Sequence, residues 1–122
     1  MASGDKVVVN LTVGPEAPER ATLAFLVASS AASSGKEVVV FLTGEGVRLA
    51  VPGVADEIHH EGFRPLAAFL GAVIGAGGEL HCCTPCLRSR GIDADGLIEG
   101  AKVSGPTNLF AWMGEDGVVF SY

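Results

Sequence analysis

The sequence predicts an α/β protein whose core is an open, five-stranded, mostly parallel sheet with helices on both faces. Two β-branched runs, Val7 to Val9 and Val38 to Val40, are typical of strands that are buried on both faces of a parallel sheet. Apolar residues at helical spacing separate these runs, which predicts a strand–helix–strand unit. Strand and helix patterns then alternate without a repeat or a linker, so we expect residues 1–122 to form one domain.

The first strand is predicted over Lys6–Leu11 and the second over Glu37–Leu42. The helix between them is predicted over residues 18–34. Pro18 suits the first turn of a helix, where a missing N–H is not needed. Gly35 suits the position after the last turn, because glycine readily adopts a positive φ there.

Two helical segments and a polar loop are predicted between the second and third strands. One helical turn is expected at residues 47–51, and a longer helix over residues 64–76, where apolar residues recur at helical spacing. The polar loop before that helix contains His59 and His60. A short third strand is predicted over residues 79–83.

A short helix is predicted directly after the third strand. Thr84 is expected to cap its N-terminus, Pro85 suits its first position, and Gly91 suits its end. A fourth, short strand is then expected over residues 102–104.

The last segment of the chain has two interpretations. A Gly-Pro pair and an apolar pattern predict a helix over Pro106–Met113, followed by a fifth strand over residues 118–122. The alternative makes residues 109–113 a strand, with residues 115–117 as a hairpin turn. We favour the helix, because Gly-Pro is a good helix entry and the alternation of apolar and polar residues is weak.

Charge and hydropathy argue against several classes of function. The net charge is −6 and the 8 Lys and Arg residues form no basic stripe, which argues against nucleic-acid binding. No apolar run approaches the roughly 18 residues that span a bilayer, and the N-terminus lacks a signal-peptide core. We therefore expect a cytoplasmic protein that does not bind membranes. Cytoplasmic thiols stay reduced, so a close cysteine pair there tends to be catalytic or metal-bound.

All 3 cysteines of the chain lie in one short segment, as Cys82, Cys83 and Cys86. The Cys83-x-x-Cys86 spacing suits both thiol chemistry and metal binding. Because these residues follow the third strand, they should lie at the carboxyl edge of the sheet, where α/β proteins gather their catalytic groups. Side chains alternate along a strand, so Cys82 should point to the face opposite Cys83 and serve as a core thiol.

Cys83 is the predicted nucleophile of this segment. The unpaired N–H groups of the following helix, together with Arg88 and Arg90, should lower the pKa of the Cys83 thiol. Cys86 lies about one helical turn further on and is placed to resolve a mixed disulfide or a persulfide on Cys83. The alternative is that both thiols are small, buried core residues.

Zinc is the competing functional interpretation of the cysteine pair. Zinc takes four ligands, and beside this single CxxC pair the chain offers only His59, His60 and His81. His81 should lie on the same face of the strand as Cys83. We expect no metal, and we expect His59 and His60 to be either solvated loop residues or a base or polar wall of the thiol pocket.

No cofactor is expected either. The loop after the first strand has Glu16 where a phosphate would sit, and its Pro15 has no N–H. The loop at residues 43–46 contains glycines but neither a dinucleotide-binding nor a Walker pattern. Both loops also lack the aromatic residues expected for FMN binding.

Residues 83–92 resemble a segment of the DsrE/DsrF-like (TusD-like) sulfur-transfer proteins, in which a reactive cysteine lies a fixed distance before an Arg-Gly pair. Cys83 matches that cysteine, and many single-chain members have a second cysteine at the position of Cys86. Residues 41–47 resemble the family's strand followed by Asp-Gly-Val, with Glu45 as the acidic residue. The last five residues resemble its closing strand.

The resemblance implies a five-stranded parallel sheet in a flavodoxin-like three-layer arrangement. It also implies a homotrimer or homohexamer, sulfur donor and acceptor proteins as partners, and a cysteine that carries sulfane sulfur as a persulfide. On this basis Cys83 is the carrier and Cys86 the second thiol. The residues expected to support them are Thr84, Arg88, Arg90, His59 and His60.

Three functions follow from these observations. The first is sulfur relay by Cys83, either as a carrier or as a sulfurtransferase. The second is a CxxC dithiol–disulfide oxidoreductase, in which Cys83 attacks and Cys86 resolves. The third is a non-catalytic oligomeric subunit, suggested by the mean hydropathy of +0.42, with the helix faces around Phe69 and Trp112 as candidate interfaces.

Overall fold

The computed structural model describes residues 5–122. Five strands form one sheet, and every strand pairing is parallel. The strands are β1 (Lys6–Leu11), β2 (Glu37–Leu42), β3 (Glu79–Cys82), β4 (Ala101–Val103) and β5 (Val118–Ser121). Their order across the sheet is β4-β3-β2-β1-β5. The predicted α/β class with an open five-stranded sheet is therefore confirmed.

Four α-helices connect or follow the strands. They are α1 (Pro18–Ser33), α2 (Leu66–Gly75), α3 (Thr84–Ser89) and α4 (Pro106–Met113). Three 3₁₀ segments occupy Gly44–Ala50, Ala55–Glu57 and Ala94–Gly96. The helix predicted over α4 is confirmed, and the alternative of a strand followed by a hairpin turn is wrong. None of the helices between residues 5 and 122 is long and apolar enough to cross a membrane.

Two predicted element boundaries differ from the observed ones for identifiable reasons. α2 begins at Leu66, because Pro65 holds an extended ψ of 142° and the residue before a proline avoids the helical region. The turn expected at residues 47–51 is part of a longer 3₁₀ segment that begins at Gly44. That earlier start places Gly44 and Glu45 next to the end of β2.

The helices cover both faces of the sheet, which confirms the three-layer arrangement. On the first face, α1 and α2 pack on the larger apolar core, and Phe25 of α1 is fully buried there. On the second face, Leu109 of α4 packs on Val8, Val39 and Phe41. Burying each large apolar side chain stabilises the fold by about 1.5–3 kcal/mol, so these two cores hold the strand ends in fixed positions.

Two glycines allow the loops at the carboxyl edge to approach each other closely. A Cβ atom added at Gly14 would overlap the carbonyl oxygen of Glu45. A Cβ atom added at Gly46 would lie 2.5 Å from the carbonyl oxygen of Leu11. The loop after β1 and the segment after β2 therefore touch backbone to backbone, which is possible only where there is no side chain.

Candidate functional site

The cysteine segment lies at the carboxyl edge of the sheet, as the sequence predicts. Cys82 pairs with Leu42 at the ends of β3 and β2. The Cys83 N–H donates to the carbonyl oxygen of Leu42 at 3.1 Å, which extends the pairing by one residue. The segment that begins at Gly44 follows Leu42 closely, so it lies beside the cysteines.

Cys82 and Cys83 point to opposite faces of the sheet, and this prediction is confirmed. Cys82 is fully buried in the core beneath α1 and α2, whereas the partly exposed Cys83 packs against the core beneath α4. Burial, and then the nearby Cys83, raises the pKa of the Cys82 thiol to about 12. Cys82 therefore stays a neutral thiol, which fits its predicted place in the core.

The raised pKa of Cys82 predicts a loss of stability in alkali. From the ordinary pKa of 9.0 up to about 12, the unfolded chain loses the Cys82 proton while the folded chain keeps it. The free energy of unfolding should therefore fall with pH in this range, by about 1 kcal/mol per pH unit from this thiol. Urea unfolding at several pH values above 8 should show a shallower fall for Cys82→Ala than for the wild type. Equal slopes would contradict this account of Cys82.

The start of α3 differs from the prediction by one residue. Cys83 is the N-cap residue, with φ −67° and ψ 125°, and the Leu87 N–H closes the first helical turn on its carbonyl oxygen at 3.1 Å. Thr84, the predicted cap, is instead the first helical residue. The reason is that β3 carries extended backbone through Cys83, so its carbonyl is already the first acceptor of the helix. Pro85, predicted at the first helical position, is the second helical residue and still lies in the first turn.

The prediction of a lowered pKa for Cys83 is wrong. Burial is the main cause that raises the pKa of this thiol, and the Cys86 thiol adds to the increase. The backbone N–H of Cys86 lowers the pKa of Cys83 and so opposes these two increases. Cys83 makes no regular side-chain capping hydrogen bond. Arg88 is exposed, and the guanidinium of Arg90 is bound elsewhere.

Cys83 and Cys86 lie together at the start of α3. They lie one helical turn apart, the Cys86 thiol is close enough to raise the pKa of Cys83, and both thiols are free. The Cys86 sulfur also accepts a hydrogen bond from the Gly44 N–H at 3.2 Å. The site thus contains two adjacent thiols, of which Cys86 has a donor from outside the pair.

An ion-pair network fastens α3 to the segment after β2. Glu45 accepts from Arg48 at 2.5 Å and from Arg90 at 3.0 Å, and Arg90 also donates to the carbonyl oxygen of Cys86 at 3.1 Å. The hydrogen bonds from Arg48 and Arg90 hold the pKa of Glu45 below its usual value. We name Glu45 and Arg90 the clamp. The clamp keeps Gly44, the residue before Glu45, opposite Cys86.

Sequence reasoning missed the role of Gly44 and found Glu45 only through the family resemblance. Glu45 and Arg48 are three residues apart, a spacing that brings their side chains together on a helix. That spacing indicates the ion pair between Glu45 and Arg48. It does not indicate the contact of Glu45 with Arg90, which lies 45 residues further along the chain.

His59 and His60 lie in their own loop. The His59 ring nitrogen contacts the carbonyl oxygen of Phe63 at 2.7 Å, and His60 lies 3.7 Å from the Glu19 carboxylate. Within residues 5–122, no hydrogen bond or ion pair joins either histidine to a cysteine. These contacts favour the interpretation of both as loop residues over that of a wall of the thiol pocket.

His81 is buried and pairs with Phe41, which lies in the core beneath α4, so His81 is on the same face of the sheet as Cys83, as predicted. One ring nitrogen lies 3.0 Å from a carboxylate oxygen of Glu79, which Lys102 also approaches at 3.2 Å. The hydrogen bond with His81 is the main cause that lowers the pKa of Glu79. In the described part of the chain, no group of three or more His, Cys, Asp and Glu side chains is placed to hold a metal ion.

Comparison with known proteins places this architecture in a family. The sequence profile of the DsrE/DsrF-like family matches residues 5–122. The uncharacterized protein MK0008 of Methanopyrus kandleri is 32% identical over 118 residues, which cover 95% of this chain and 93% of that protein. The uncharacterized protein MJ0989 of Methanocaldococcus jannaschii is 32% identical over 125 residues, which cover 96% of this chain and 99% of that protein.

A solved structure shows the same fold. The crystal structure of the ychN protein from E. coli superimposes with a TM-score of 0.77 at 21% sequence identity, over 96% of this chain and 98% of that chain. The five parallel strands and their helices are therefore an architecture that this chain shares with a known protein. Together with the profile match over nearly its whole length, this shows that the chain belongs to the DsrE/DsrF-like family.

Proposed function

We propose that the protein relays sulfane sulfur as a persulfide on Cys83, with Cys86 as the second thiol. The DsrE/DsrF-like family is associated in general with sulfur relay. The observation that carries the proposal is the placement of two free, adjacent thiols at the carboxyl edge of the sheet, with Cys83 partly exposed. Sulfur donor and acceptor proteins would be the partners of such a site, and the reduced thiols fit a cytoplasmic location.

The loading step is a displacement at sulfur. The Cys83 thiolate attacks the outer sulfur of a donor persulfide, a new sulfur–sulfur bond forms on Cys83, and the donor leaves as a thiolate. Because burial raises the pKa of the Cys83 thiol, little thiolate is present at neutral pH. Loading should therefore become faster as the pH rises above neutrality. The exposed Arg88, on the same short helix, would attract an anionic persulfide donor.

Intact-mass spectrometry tests the proposal. The reduced protein is exposed to an inorganic polysulfide, separated from excess donor, and weighed with and without dithiothreitol. We expect a gain of one sulfur atom per chain that the dithiol removes. Absence of sulfur uptake in both the wild type and Cys86→Ser, even at a pH at which thiols ionise, would refute the carrier function.

A dithiol–disulfide oxidoreductase is the second candidate, because Cys83 and Cys86 are free thiols one helical turn apart at the start of α3. In that function Cys83 would attack a substrate disulfide and Cys86 would resolve the mixed disulfide. Turnover would then need both cysteines. An insulin reduction assay distinguishes this function, since a sulfur carrier should reduce insulin no faster than an equal concentration of a small thiol.

We also propose that the chain assembles into a homotrimer or homohexamer, with β5 at a subunit interface. Val118, Val119 and Phe120 of this edge strand are 42%, 50% and 44% exposed, and Phe110 of α4 is 64% exposed. An edge strand with exposed apolar side chains and no charged residue is usually covered by another chain. Phe69 and Trp112, the residues suggested by the sequence, pack instead against the two cores.

A charge on β5 should break this assembly. Val119→Lys places an ammonium group in the proposed interface, so analytical ultracentrifugation should show monomers in place of trimers or hexamers. Val103→Lys is the matched control, because Val103 is a similarly exposed valine (39%) on the opposite edge strand. Oligomers that survive Val119→Lys, or a wild type that is monomeric at micromolar concentration, would contradict the proposed interface.

A further inference from the structure

We propose that Cys86 discharges the Cys83 persulfide by attacking its inner sulfur atom, which releases hydrosulfide and leaves a Cys83–Cys86 disulfide. The proposal rests on the proposed function, because a persulfide must first form on Cys83. It adds a second activity to the site. The protein would not only carry sulfane sulfur but also limit how long the sulfur stays on the chain.

The position of Cys86 one turn after Cys83 determines which sulfur atom is attacked. In a persulfide on Cys83, the inner sulfur is the Cys83 Sγ atom itself, and the outer sulfur is the added atom. Cys83 is the N-cap of α3 and the Leu87 N–H closes the first turn on its carbonyl oxygen at 3.1 Å, so Cys86, one turn further on, lies beside the inner sulfur. A CxxC pair at the start of a helix also has the spacing of known dithiol–disulfide pairs.

The Gly44 N–H holds the attacking group in place. It donates to the Cys86 sulfur at 3.2 Å. Its position is well fixed, because Gly44 has a φ of +53° and a Cβ atom there would lie 3.0 Å from the carbonyl oxygen of Thr12. The clamp holds the same segment to α3 through Arg90, which also binds the Cys86 carbonyl oxygen at 3.1 Å.

Of the two sulfur atoms of the persulfide, the inner one, Cys83 Sγ, is the better target. Cys83 is partly buried and packs against the core beneath α4, so its sulfur is held in place. This packing fixes Cys83 Sγ, whereas the added outer sulfur has no fixed position. Attack within such a preorganised pair proceeds far faster than attack by a thiol from solution.

The step needs no external oxidant. The Cys86 thiolate gives its electron pair to Cys83 Sγ and forms the new sulfur–sulfur bond, while the persulfide bond breaks. The outer sulfur leaves with that bond's electrons and its own proton as hydrosulfide. The sulfane sulfur is reduced and the two cysteines are oxidised, so atoms and electrons balance. A dithiol reductant would then return the disulfide to the two thiols.

A loading-and-decay experiment tests the proposal on the full-length protein. The chain is loaded with inorganic polysulfide, freed of excess donor, and sampled over time by alkylation, intact-mass spectrometry and a sulfide assay. In the wild type we expect the sulfur adduct to decay, one hydrosulfide per chain to appear, and a Cys83–Cys86 disulfide to form. In Cys86→Ser the adduct should last on the order of a hundredfold longer. Cys82→Ala, which removes the buried thiol on the opposite face, should decay like the wild type.

Three results would overturn the inference, and they differ from one another. An adduct that lasts as long in the wild type as in Cys86→Ser would exclude discharge while leaving the carrier function intact. Migration of the adduct to Cys86, found by peptide fragmentation and without sulfide release, would show attack on the outer sulfur instead. Failure of both the wild type and Cys86→Ser to take up sulfur would refute the carrier function, and with it this inference.

Discussion

Cys83→Ser is expected to abolish sulfur loading completely. A serine hydroxyl cannot hold a persulfide. Of the two remaining thiols, Cys86 packs against the core beneath α1 and α2, and its sulfur is engaged by the Gly44 N–H. Cys82 is fully buried, and burial raises the pKa of its thiol to about 12, so it stays neutral and out of reach of a donor. Intact mass after exposure to polysulfide should show no adduct that dithiothreitol removes.

Two controls make this result specific to Cys83. Cys82→Ser makes the same substitution at the neighbouring residue, whose side chain lies on the opposite face of the sheet. This variant should load sulfur as the wild type does. The thermal midpoint of Cys83→Ser should stay close to that of the wild type, because Cys83 is partly exposed and tolerates a polar atom. Persistent loading in a folded Cys83→Ser variant would show that Cys83 is not the carrier.

Gly14→Ala and Gly46→Ala are expected to be strongly destabilising, by about 1–3 kcal/mol each. In Gly14→Ala the added methyl group would overlap the carbonyl oxygen of Glu45. In Gly46→Ala it would lie 2.5 Å from the carbonyl oxygen of Leu11. Backbone oxygens at this distance cannot move aside alone, so the two loops must separate. The separation would also shift the Gly44 N–H from the Cys86 sulfur, and persulfide decay should slow in both variants. Urea unfolding measures the first effect and the loading-and-decay experiment the second.

A third glycine provides the matched control for these two. Gly71 lies within α2, and a Cβ atom added there meets nothing within 4 Å. Gly71→Ala should therefore stabilise the protein by about 0.5–1 kcal/mol, because alanine is the better helix former. If Gly14→Ala and Gly46→Ala were as stable as Gly71→Ala, the close contact between the loops could not hold the site together.

The strands were predictable because their signals are local. β1 and β2 match their predicted boundaries. A run of valines is typical of a strand that is buried on both faces, and it is compatible with few other structures. The opposite faces of Cys82 and Cys83 follow in the same way from the alternation of side chains along a strand. The α2 boundary was missed by two residues, although Pro65 gave the local signal for it.

The electrostatics of the site were not predictable from local signals. A lowered pKa for Cys83 is the natural inference from a helix start and nearby arginines, yet the fold buries the thiol and ties Arg90 to Glu45. Both facts depend on residues that are distant in sequence. The donor from Gly44 to Cys86 spans 42 residues and depends on two glycines that let the loops meet, so only the assembled structure reveals it.

Cys82 gives the protein a built-in reporter of core opening. In Cys83→Ser combined with Cys86→Ser, the single remaining thiol is fully buried beneath α1 and α2. An alkylating reagent can reach it only when β3 transiently separates from those helices, so the labelling rate under native conditions measures the free energy of that opening. The same measurement with a bound donor or acceptor protein would show whether docking tightens the interior next to the reactive cysteines.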